Sequence, residues 1–207
     1  MNLLLNNLPT KIKVNNKIYP IRSDYKTALR IIMAFEDKNL TNSEKVYITL
    51  KNIYLDDIPS NEMEEAYLKA VKFLDCGVEE KENKPTSRIY SFSKDGNYIY
   101  SGINSTHKID LESTNIHWWK FVALFMDMNS ECTFGEIVYY RQKARDGKLS
   151  KEEKQTYKKL KDLFDLKEEK QESEEKNNFL KEMGLRWFYG SQKRSSCNWY
   201  KTQSWEN

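Results

Sequence analysis

Glycine is scarce in this chain, 7 of 207 residues, and no phosphate-cradling glycine loop, Walker pattern or Gly-x-Ser-x-Gly elbow is present. The usual sequence signs of nucleotide hydrolysis and serine-hydrolase chemistry are therefore missing. Histidine is scarcer still. His107 and His117 are the only two, and neither belongs to a metal-binding pattern such as His-Glu-x-x-His. The three cysteines, Cys76, Cys132 and Cys197, are odd in number and far apart, which argues against a zinc cluster or a redox pair and predicts reduced thiols. Cys132 lacks a base and an orienting partner for nucleophilic catalysis. No apolar run reaches the roughly 20 residues needed to span a bilayer, since even Ile116 to Met128 is interrupted by Lys120 and Asp127. The N-terminus, MNLLLNNLPTKIKV, has neither a basic start nor a small-residue cleavage site, so no signal peptide is expected and the setting reads as cytoplasmic. Charge of one sign is lacking too. Net charge is +3, too little for a field that draws the whole molecule to nucleic acid or anionic membrane.

What the chain has is aromatic and charged side chains, at 13% and 31%. With a mean hydropathy of −0.83, this composition describes a wet surface around an aromatic interior, and the length suits one core with extensions.

Residues 11–22, KIKVNNKIYPIR, alternate around Asn15-Asn16, which predicts a β-hairpin whose second strand, holding Pro20, lies at an edge. Ser23 or Asp24 caps a first helix to about Lys38. A second begins at Thr41 or Ser43 and stops before Pro59. A third carries the apolar stripe Met63, Ala66, Tyr67, Ala70, Val71 and Leu74, with Gly77 as the C′ glycine. Residues 79–87 read as a solvated linker. Asp95 caps a fourth helix ending near His107, and Ser113 or Asn115 caps a fifth, IHWWKFVALF. Thr133 opens a sixth, bearing Phe134, Ile137, Val138 and Arg141. A Ser150–Glu153 capping box precedes a seventh with Tyr157, Leu160, Phe164 and Leu166.

Two features invite a functional reading. Adjacent Trp118 and Trp119 point about 100° apart on a helix, so both are buried only if it is covered on more than one side, by its own domain or by a partner. The last stretch, 184–207, sets Arg186, Lys193, Arg194 and Lys201 against Glu206, interleaved with Trp187, Phe188, Tyr189, Trp199, Tyr200 and Trp205. Such a mixture suits single-stranded nucleic acid, a protein partner, or a segment folded back on the core. His107, Asp110 and His117 form the remaining catalytic candidate. An Ile109-Asp110-Leu111 junction more commonly caps or turns the chain.

The order Asp95, Ile99, Ile103, Ile109-Asp110-Leu111, IHWWKFVALF, Ile137, Arg141, Ser150-Lys-Glu-Glu and Leu160-Lys161 resembles the bacteriophage gene-product-fifteen family of Firmicute siphophages and prophages. The likeness covers roughly residues 10–166, and the His-Trp-Trp-Lys-Phe core is its most specific part. His107 stands where that family commonly has an aromatic, and the tail after Glu168 has no counterpart. The resemblance implies a tail assembly factor, encoded near the tape-measure gene. Such a protein coats the tape-measure helix and recruits tail-tube subunits, and no catalytic residues carry over, because the family is not known for any.

The expected fold is mainly α, with six or seven helices in two subclusters, a small N-terminal β-hairpin and an aromatic, basic tail. Expected units are 1–77 (hairpin and helices), 78–88 (linker), 89–183 (helices around the Trp-Trp core) and 184–207 (tail). No cofactor or metal is expected. The expected function is a non-enzymatic tail assembly chaperone, binding tape-measure and tail-tube proteins, with self-association open, in the cytoplasm of an infected or lysogenic host. The alternative is a nucleic-acid-binding phage accessory protein using the tail. Partner-binding candidates are Trp118, Phe121, Phe125, Trp187, Tyr189, Arg194, Trp199 and Trp205.

Overall fold

A computed structural model describes residues 3–77, 89–128 and 130–166. Among these the chain is mainly α, with eight helices and one two-stranded antiparallel hairpin. The hairpin joins β1 (Lys11–Val14) to β2 (Lys17–Pro20), with Val14 opposite Lys17. Asn15 takes the positive φ of 48° that so short a connection demands. Ile12, Val14 and Tyr19 turn inward.

Helix α1 (Tyr25–Glu36) starts where the Asp24 carboxylate accepts from the Thr27 amide, and α2 (Asn42–Ile53) starts on a complete Thr41–Glu44 capping box. The second helix ends earlier than the approach of Pro59 suggests. Tyr54 and Leu55 leave it to run antiparallel beside β2: Tyr54 bridges Ile21 and the Leu55 amide donates to the Pro20 carbonyl at 3.1 Å. Pairing of backbone groups outweighs one more helical turn there. After a 3₁₀ turn at Ser60–Glu62 comes α3 (Met63–Leu74). Its end corrects one expectation. Cys76, at φ 57°, is the left-handed C′ residue, and Gly77, at φ 70°, follows it. The Gly77 amide donates to the Lys72 carbonyl and the Cys76 amide to the Phe73 carbonyl, a Schellman closure.

The second half holds α4 (Phe92–His107), α5 (Trp118–Met126), α6 (Thr133–Arg145), α7 (Lys151–Lys159) and α8 (Lys161–Phe164). Two caps differ from expectation. Ser91 caps α4, leaving Asp95 inside the helix, and His117 caps α5 in place of Ser113 or Asn115. The Ser150–Glu153 box forms as read. The expected seventh helix is two, because the backbone breaks at Leu160 (φ −108°, ψ 29°) before α8.

Helix α1 packs on α2, α4 and α5, and buried apolar side chains of both halves, from Ile12 to Phe134, form one continuous cluster. The expected linker 78–88 and tail 184–207 lie outside the described residues.

Candidate functional site

The aromatic run of α5 meets the carboxyl end of α3. A helix leaves its last carbonyls without intrahelical donors, and here two indoles supply them. Trp118 Nε1 donates to the Leu74 carbonyl at 2.8 Å and Trp119 Nε1 to the Phe73 carbonyl at 2.7 Å. Adjacent tryptophans, diverging around their helix, thus serve adjacent carbonyls. Both are buried by the chain's own residues, which satisfies their polar atoms along with their rings. Phe121 stacks between Tyr25 (4.8 Å) and Trp118 (5.7 Å), and Phe125 packs on Tyr90, Phe92 and Phe134. The candidates Trp118, Phe121 and Phe125 are therefore inside the core, at 0, 2 and 8% exposure. Trp187, Tyr189, Arg194, Trp199 and Trp205 lie outside the described residues.

His117 ties this seam to the N-terminal segment. Its Nδ1 accepts from the Trp119 amide at 3.1 Å, so Nε2 carries the proton and donates to the Pro9 carbonyl at 2.9 Å. Burial pushes its pKa below the ordinary value, against a smaller upward effect of the Pro9 bond. Backbone pairing runs alongside: the Trp118 amide donates to Ser23 and the Tyr25 amide to Ile116.

The catalytic candidates do not converge. His107 Nε2 bonds the Leu124 carbonyl, His117 bonds Pro9 and Trp119, and Asp110 accepts from the Glu112 amide. The last contact, with a smaller contribution from Ser113, holds the Asp110 pKa below its usual range. Burial raises the Cys76 thiol far above the range of a reactive thiolate. Cys132 uses its Sγ to accept from the Gly135 amide, and Cys197 lies outside the described residues. Among the described residues no group of three or more His, Cys, Asp and Glu is placed to hold a metal ion, and no helix is long and apolar enough to cross a membrane.

A second centre, which sequence reading did not single out, is a buried ion pair. Arg141 of α6 directs both terminal nitrogens at Asp95 of α4, at 2.6 and 3.0 Å. Its remaining N–H groups reach the carbonyls of Ile89, Leu163 and Phe164. All five guanidinium donors are thereby used, and the carboxylate also accepts from the Ser91 amide. Such a pair is tolerated in a core only when every donor and acceptor is satisfied. The signal was present in the sequence: Arg141 continues the apolar stripe Phe134, Ile137 and Val138 on a helix where a solvated arginine would face outward. Lys94 adds a further bond to the Asp162 carbonyl at 3.2 Å, fastening the end of α8 to α4.

Glu36 joins the halves on the other side. Its carboxylate accepts from the Ser91 and Ser93 hydroxyls and from the Phe92 and Ser93 amides, at the amino end of α4. Negative charge is favoured there by the exposed amides and the helix dipole.

The sequence model of a family described as Bacteriophage Gp15 protein matches residues 4–166. The chain belongs to that family. The Gp15 match ends at Leu166, just beyond Phe164, so it spans the body that Arg141 closes and stops before the aromatic tail. No curated protein and no solved structure matches the chain significantly. Membership of the Gp15 family makes this a phage protein.

Proposed function

We propose that this Gp15-family chain is a non-enzymatic tail assembly chaperone, which covers the tape-measure protein and recruits tail-tube subunits to it. The observation that carries the reading is the family match over residues 4–166. The residues add physical support. The histidines and Asp110 are each engaged in bonds to backbone groups, and the body is an aromatic-filled support. A long client helix exposes an apolar stripe until the tube encloses it, and a chaperone holds that stripe by supplying apolar side chains at a surface.

For this role Trp118, Phe121 and Phe125 shape the support from within. The tail residues Trp187, Tyr189, Arg194, Trp199 and Trp205 are the proposed anchors, because Trp, Tyr and Arg give large buried contacts with few rotors. Copies set side by side along the client also bring self-association.

The test is co-expression of the intact chain with the tape-measure protein of the same locus, reading complex mass by light scattering. A soluble complex of many copies per client is expected, weakened by joint Trp187→Ala and Trp199→Ala substitution. Client that aggregates with no complex formed removes the reading. Salt-dependent binding to single-stranded nucleic acid in its place would favour the accessory-protein alternative.

A further inference from the structure

The outward face of the N-terminal hairpin carries side chains that stay exposed among the described residues. The register sets Lys11 opposite Pro20 and Lys13 opposite Ile18. Because side chains alternate along a strand, these four share the face opposite buried Ile12 and Tyr19. The antiparallel bridge between Ile21 and Tyr54 sets Leu55 beside Pro20 and extends the same face. Ile18 is 61% exposed and Leu55 53%, high values for aliphatic residues in a paired strand and its neighbour. Lys11 and Lys13 are exposed, and neither has an anionic partner among the described residues. Lys17, at the hairpin tip, lies 4.4 Å over the Tyr19 ring. Of the two carboxylates that follow Leu55, Asp57 is held by Lys51 at 2.5 Å. Asp56 is exposed beside Leu55, so the anion-seeking end of the face is the Lys11–Lys13 end.

The chemistry selects one class of occupant. Ile18 and Leu55 have no ring on which a base stacks, and Arg22, whose planar fork would suit phosphate, is committed to the carbonyls of Lys51, Asn52 and Tyr54. Two aliphatic side chains are also a small wedge for a membrane interface, where binding scales with buried apolar area. A protein segment with acidic side chains flanking an aliphatic stripe suits both the two ammonium groups, which have no anionic partner among the described residues, and the exposed aliphatic pair.

We infer that Lys11, Lys13, Ile18 and Leu55 form a docking surface for an acidic, aliphatic-striped segment of the tape-measure client. This rests on the chaperone reading above and assigns the hairpin a client contact separate from the tail.

The experiment uses the full chain and the tape-measure protein of the same locus, with K11E/K13E and I18S variants. All three positions are exposed, so each variant should keep the helical circular dichroism and urea midpoint of the unaltered chain. The expected result is a loss of client affinity of about ten-fold or more in each variant, with K11E/K13E also flattening the fall of affinity with salt. Zero-length carbodiimide coupling should join Lys11 or Lys13 to client Asp or Glu residues. Unchanged client affinity in both variants, or coupling that avoids both lysines, overturns the inference and leaves the chaperone reading standing. Failure of the unaltered chain to bind the client overturns both. Binding of polyuridylate or phosphatidylserine vesicles that the same substitutions abolish, with client affinity unchanged, also overturns the inference.

Discussion

Arg141 and Asp95, 46 positions apart, meet in a two-bond fork at 2.6 and 3.0 Å with side-chain exposures of 4 and 1%. The pair fixes α4 to α6. The other arginine donors hold the last carbonyls of α8 and the Ile89 carbonyl, so three separate stretches depend on one side chain.

Removing one partner strands a charge in the core. Asp95→Asn or Arg141→Met should cost about 3–5 kcal/mol, read as a lowered urea midpoint. Arg141→Lys should also be strongly destabilising, because an ammonium keeps the charge and loses the fork.

The indole bonds predict a graded pair of results. Trp119→Phe keeps most of the ring volume and takes from the Phe73 carbonyl one of its two donors, leaving the Cys76 amide, a loss of about 0.5–1.5 kcal/mol. Trp118→Ala removes a fully buried ring and should cost about 3–5 kcal/mol. Calorimetric or urea unfolding of both variants checks the order.

At Gly77, φ of 70° and the Trp119 ring, 3.3 Å from where a Cβ would stand, act together. Gly77→Ala should lose about 1–2 kcal/mol from the backbone alone. A thermal melt that matches the unaltered chain would show that the Schellman turn tolerates the change.

The fold favours neutral His117, because burial lowers its pKa and its Nδ1 must stay free to accept from Trp119. The unfolded chain therefore takes up the proton first. The contribution to stability is full above the ordinary histidine pKa of about 6.5 and declines as pH falls below it through the lowered folded value. Urea midpoints between pH 7.5 and 5 should fall, and fall less in His117→Asn. Equal slopes would assign the acid sensitivity elsewhere.

Where local chemistry decides structure, the sequence was readable. Ser150 caps its helix as expected, and Asp24 and Thr41 do so from the expected pairs Ser23 or Asp24 and Thr41 or Ser43, because each needs only a hydroxyl or carboxylate a few residues from the amide it serves. The shortened end of α2 was not readable, since it depends on Tyr54 meeting Ile21, more than thirty positions earlier. Asp95 looked like a cap because a carboxylate near a helix start usually is one. Only the arrival of Arg141 from α6 explains its burial. His117 as a cap was hidden for a similar reason: its ring is oriented by Pro9, at the other end of the body. The Trp-Trp helix was legible as core or interface, and the carbonyls of Phe73 and Leu74 settle where its indoles go.

The contacts made by residues 116–119 have a consequence for synthesis. Pro9, Ser23, Tyr25, Phe73 and Leu74 all find partners in that short stretch. The hairpin and first three helices leave the ribosome well before it. Until about half the chain has been translated, the Leu74 and Ser23 carbonyls lack their native donors, and the first-made part waits, partly wet, for α5 to emerge.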